Sequence, residues 1–191
     1  MFNTTTIDTT KKQYPTNKYL SPGHYEVKVN SIIPYKANSG SYQLRFELET
    51  PPVTTEGFVP ADGNTGQVGT VRTVYISNPE MEQQVGTLIA NLADVTGTRE
   101  QVDNIKTETY EEYATALQEI VKDKYFMVSI GGKKYVNSTT GKVGTELQFS
   151  RYKTFATKQD VLDNGVEKAL GKIYIKELPT DTQEKKEEVL F

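Results

Sequence analysis

Three short segments in the second half of the chain set a cation directly beside a phenol: Lys124-Tyr125, Lys133-Lys134-Tyr135 and Arg151-Tyr152-Lys153. Lys142 falls between the last two, and Arg45, Arg72 and Tyr75 add further positive and aromatic groups earlier in the chain. The chemistry these types suit is non-covalent. A basic groove follows a line of phosphates, while aromatic faces receive bases at roughly 1–3 kcal/mol each. Any one tyrosine also packs well on a pleated surface, and any one lysine can block edge pairing on a hairpin. The cluster carries the reading, rather than its members.

Covalent and metal chemistry has little to work with. The chain has no cysteine, and His24 is its only histidine. That removes disulfides, thiolate nucleophiles, Cys/His zinc sites and histidine-dependent triads together. No calcium loop, phosphate-binding loop or dinucleotide fingerprint occurs. Glu111 and Glu112 are adjacent carboxylates, but neighbours on a helix diverge by about 100° and suit a solvated face better than paired catalysis. The sequence therefore predicts a non-enzyme with no cofactor, no metal and no catalytic residue.

The formal net charge of −3 hides a segregated pattern. Residues 122–158 hold eight Lys/Arg against two Asp/Glu, and residues 1–45 hold six against two. Residues 80–121 reverse this, with two against nine. Such separation implies a dipolar molecule with a basic surface, although acidic helices and lysine-rich hairpins also serve solubility.

These groups need strands to hold them. Tyr25, Val27 and Val29 alternate with Glu26, Lys28 and Asn30, and Tyr42, Leu44, Phe46 and Leu48 alternate with Gln43, Arg45 and Glu47. Both are period-2 strand patterns. A third strand is predicted over 69–77, with Val74 and Ile76 on one side and Thr73 and Tyr75 on the other. Arg72 falls in phase with Val74. The period then changes to helical over 79–96, started by Asn78-Pro79 and stopped by Gly97, and again over 110–121. Strand pattern resumes with Phe126, Val128 and Ile130, followed by a hairpin with its tip at 137–142 and a return strand carrying Leu147 and Phe149. A short helix at 157–170 and an edge strand at 171–178 complete the reading.

Three strands, a helical insertion at about 80–121 and two more strands match the order of an OB-fold. The expected class is thus mainly β, a five-stranded Greek-key OB-fold barrel with its helical insertion between strands 3 and 4. Residues 1–22 read as a flexible arm, 23–178 as the domain, and 179–191 as a disordered acidic tail. The outward set on that barrel would be Arg45, Arg72, Tyr75, Lys124, Tyr125, Lys133, Lys134, Tyr135, Lys142, Arg151, Tyr152 and Lys153.

The tail ends in Glu187, Glu188, Val189, Leu190 and Phe191. Apolar residues closing an otherwise polar stretch suit a docking peptide for a basic-rimmed hydrophobic pocket, or else pack on the domain itself. With Glu187, Glu188 and Phe191 and the strand order, the chain resembles the bacterial and bacteriophage single-stranded DNA-binding proteins. It departs from them in having no tryptophan and in diluting the tail with Lys185 and Lys186. Residues 21–48 also resemble the opening of small phage proteins encoded beside recombination genes. The resemblance implies a protein that coats single-stranded DNA in replication, recombination or repair, without strong sequence preference. It also implies that residues 187–191 recruit partner enzymes.

A structural virion component built on a small β-barrel, without DNA affinity, is the alternative, and a carbohydrate-binding barrel is a third. With no secretory pattern at the N-terminus and no apolar run near the roughly 20 residues a membrane span needs, the expectation is a cytoplasmic protein, host cytoplasm for a phage product. No membrane partner is expected, and homo-oligomer formation is compatible with this reading.

Overall fold

A computed structural model describes residues 19–52, 66–150 and 153–179. In chain order the elements are β1 (Gly23–Lys36), β2 (Tyr42–Glu49), β3 (Val68–Arg72), α1 (Pro79–Thr96), α2 (Arg99–Asp103), α3 (Tyr110–Val121), β4 (Phe126–Val136) and β5 (Val143–Phe149). Then follow β6 (Phe155–Ala156), α4 (Lys158–Asn164), α5 (Val166–Leu170) and β7 (Ile175–Lys176). The protein is mainly β, and five of its strands pair in a closed circuit, β1-β2-β3-β5-β4 and back to β1.

Strand β1 closes that circuit because it serves two neighbours. Residues 23–27 pair with β4 and residues 28–36 with β2, both antiparallel. A β-bulge between Val29 and Ser31 separates the halves. An extra residue bends the strand and inverts the phase of every side chain after it. Before the bulge, Tyr25, Val27 and Val29 point into the core; after it Ile32 does, and Ile33 is 54% exposed. The Ile32 N–H donates to Gln118 Oε1 of α3 at 2.8 Å, so the helix satisfies backbone at the bend.

The core is lined by the inward residues of the circuit, including Leu44, Phe46, Leu48, Val71, Phe126, Val128 and Ile130. Ala114, Leu117 and Val121 of α3 and Val85, Ile89, Leu92 and Ala93 of α1 pack against them. Fully burying one such aliphatic or aromatic side chain stabilises by about 1.5–3 kcal/mol. Phe149 sits edge-on to Phe46 at 5.2 Å and to Phe155 at 5.4 Å, and Phe155 continues to Phe126.

Local chemistry sets the helix ends. Asn78 caps α1 by accepting from Met81 N at 2.9 Å, and Gly97 closes it at φ 67°, a left-handed value that suits glycine. Thr109 caps α3, and Thr157 with Asp160 forms a capping box on α4. None of the described helices is long and apolar enough to cross a membrane.

Several details differ from the sequence reading. β3 stops at Arg72 rather than continuing to residue 77. Thr73 turns inward and is buried, because its Oγ1 accepts from Leu44 N at 3.1 Å and its carbonyl from Gln43 Nε2 at 2.9 Å. Gln43 is consequently buried, not outward. Met127 and Ser129, which alternate with Phe126, Val128 and Ile130, are buried as well, because α4, α5 and β6 build a second small core of Met127, Ala156, Val161 and Leu170 over β4. Leu20, at the end of the stretch read as an arm, is buried, and its N–H donates to Val68 O at 2.9 Å.

Candidate nucleic-acid interface

On the outer face of the circuit one row of residues runs straight across four strands. Ile33 of β1 is opposite Arg45 of β2, Arg45 is opposite Arg72 of β3, and Arg72 is opposite Gln148 of β5. Directly opposed residues share a face, so the two arginines are neighbours. Like charges facing each other are unfavourable, and each guanidinium turns to its own partner. Arg45 stacks on Tyr35, its Cζ 3.6 Å from the ring centroid. Arg72 donates to Glu146 Oε2, and Gln148 Nε2 donates to the other Glu146 oxygen at 3.2 Å.

Arg72 therefore lies outward in register with Arg45, not on the side of Val74. The alternation failed there because the chain leaves the sheet at Thr73, which puts Val74 against the core instead.

Aromatic groups surround the row. Tyr75, beyond the end of β3, is 40% exposed and meets Tyr35 edge-on at 6.4 Å. Tyr135 of β4 is opposite Gly144 of β5, and its phenol ring lies over the space that a Cβ there would take. Tyr135, Thr70, Arg72, Thr145, Glu146 and Leu147 line a shallow groove beside the row. Lys133 is opposite Glu146 and belongs to this face, whereas Lys134, one residue on, faces the other way and pairs with Glu177 at 2.8 Å. Two turns flank the face. Ala37 N–H donates to Ser41 O at 2.9 Å, with Gly40 at φ 87°. In the hairpin tip Asn137 Oδ1 accepts from Thr139 and Thr140 N–H groups, and Lys142 is exposed there.

The remaining expected residues lie elsewhere. Lys124 and Tyr125 precede β4, ten positions before Tyr135, so about 33 Å of extended strand separates the two tyrosines. Lys153 donates its Nζ to Lys168 O at 2.8 Å, on the α5 side. Arg151, Tyr152 and the tail residues Glu187, Glu188, Val189, Leu190 and Phe191 lie outside the described residues.

Sequence reasoning missed Tyr35, Glu146 and Ile33. The adjacent apolar pair Ile32-Ile33, which no single-phase strand can bury on one face, was the available signal for the first part of this error. Among the described residues no group of three or more His, Cys, Asp or Glu side chains could hold a metal ion. No protein-family model matches this chain, and no curated protein matches it.

Proposed function

We propose that this chain is a single-stranded DNA-binding protein of the OB type. It grips DNA on the outer face of β1, β2, β3 and β5, with the 37–41 turn and the 137–142 hairpin tip at its borders. The observation that carries this reading is the Arg45 guanidinium stacked on Tyr35 beside Arg72, on a row that crosses four strands. OB-folds bind oligonucleotides on the face of strands 2 and 3 and on the loops joining strands 1–2 and 4–5. The closed five-strand circuit and the helical passage between β3 and β4 support this reading.

A guanidinium already stacked on a phenol offers its second face to a base, and Tyr75 and Tyr135 stand ready as further platforms. The cations supply phosphate contacts without dictating sequence. Coating of exposed strands in phage or bacterial replication, recombination or repair is the role that the resemblance to single-stranded DNA-binding proteins implies. Recruitment of partner enzymes through residues 187–191 rests on the sequence of the tail.

A salt-dependent titration of the full chain with oligo(dT) and with duplex of equal length tests the reading. Tight oligo(dT) binding that weakens steeply with salt, with duplex bound far less well, supports it. No oligo(dT) binding at low salt overturns it, and would leave a structural β protein without DNA affinity.

A further inference from the structure

Between α1 and the strand circuit lies a cleft of about 550 Å³, within the range of about 300–1,000 Å³ typical of small-ligand sites. One wall is a polar stripe of α1, where Gln83, Gln84, Thr87 and Asn91 succeed one another at helical spacing. The side-chain amides of Gln83, Gln84 and Asn91 make no hydrogen bond to another described residue. The other wall carries Gln148 and Phe149, and Tyr174 lies at the rim. Tyr174 is held there by its carbonyl, which accepts from Gly132 N–H at 3.0 Å. That approach requires Gly131, since a Cβ at this position would run into the Tyr174 carbonyl oxygen.

The lining holds Arg72 and Lys176 against Glu80, and Arg72 is already paired with Glu146, so little free positive charge faces the cleft. It therefore suits a planar hydrogen-bonding group better than an anion. Carboxamides present a donor and an acceptor together, the pattern that pairs with the edge of adenine. Arg72 borders this cleft and also the outer groove that holds Tyr135 and Glu146. A strand with a phosphate at Arg72 thus passes the mouth of the cleft.

We infer that the cleft receives a single unstacked base of the bound strand, adenine in preference, and gives the protein a base preference that the outer face alone lacks. This inference rests on the single-stranded DNA reading. Its test is to titrate the full chain, at one salt concentration, with oligo(dA) and with an abasic oligomer of equal length, following the side-chain amide NMR signals of Gln83, Gln84 and Asn91. The expected result is that these signals move with oligo(dA) and stay in place with the abasic strand. In addition, Gln84→Leu combined with Asn91→Leu, both at exposed positions and checked for an unshifted thermal melt, should weaken oligo(dA) about fivefold and leave the abasic strand unchanged. Oligo(dA) binding without movement of these signals, or with full affinity in the double variant, overturns the inference and leaves the DNA-binding reading intact. Failure of these strands and of oligo(dT) alike to bind overturns that reading, and the inference falls with it.

Discussion

The Arg72 guanidinium donates to the Glu146 carboxylate across the junction of β3 and β5, so a central cation of the proposed DNA face is already neutralised in the free protein. A phosphate must displace this carboxylate before it can use Arg72. Both side chains are about one-third exposed or less, and pairs of this kind are worth about 0–1 kcal/mol. Glu146→Gln is therefore expected to tighten oligo(dT) binding about two- to fivefold in an anisotropy titration. Arg72→Ala should weaken it and reduce the salt slope by about 1. Weaker binding by Glu146→Gln would refute the displacement.

Stacking should be confined to one end of the molecule. Tyr35→Ala removes both a ring and the platform under Arg45, and Tyr75→Ala removes the ring that meets Tyr35 edge-on. Each is expected to cost about 1–3 kcal/mol of oligo(dT) affinity. Tyr125→Ala should change affinity by less than about 0.5 kcal/mol, because that ring lies far along β4 from the row. Equal losses for Tyr125 and Tyr35 would move the interface.

One side chain of α3 satisfies backbone at the bend in β1. Gln118→Leu keeps the volume but leaves the Ile32 N–H without its acceptor, at an expected cost of about 1–3 kcal/mol in urea unfolding. Gln118→Glu keeps an acceptor in place and should recover most of the loss near neutral pH. A Leu variant as stable as the parent would show that water satisfies the bend equally well.

Alkaline pH should destabilise the fold through two tyrosines of α3. Burial, followed by Asp103, pushes the Tyr113 phenol above its usual value of 10.0. Burial, followed by Glu82, does the same for Tyr110. A folded-state value above the unfolded one means the native state holds the proton more tightly. The associated stability is full below about pH 10 and is lost as pH rises through the raised values. Thermal melts should thus fall more steeply above pH 10 in the parent than in Tyr113→Phe. Parallel pH profiles in the two proteins would count against this assignment.

Helix ends were readable because their determinants are local. Asn78, Pro79 and Gly97 bound α1 within a residue or two of the expected span, and 110–121 is helical as expected. The hairpin tip at 137–142 was legible for the same reason. Face assignments fared worse wherever one residue altered the phase. The bulge after Val29 sends Ile33 and Tyr35 outward, although their odd numbers match the buried Tyr25 and Val27. The exit of the chain at Thr73 did the same for Arg72. The ion pair of Arg72 with Glu146 was invisible for another reason, since it depends on β3 and β5 lying side by side, a contact between segments far apart in the chain.

Strand pairing around the circuit is uneven. β1 holds β4 and β2 over many residues, but β3 and β5 share only the pair Arg72 and Gln148. That pair is the clasp of a bracelet whose other links are long ladders, and behind it Phe46 meets Phe149 across the gap. Opening there would leave the ladders intact while wetting the two rings. A strand laid across the clasp from outside ties its halves together, so whatever occupies the outer face also decides how firmly the protein stays shut.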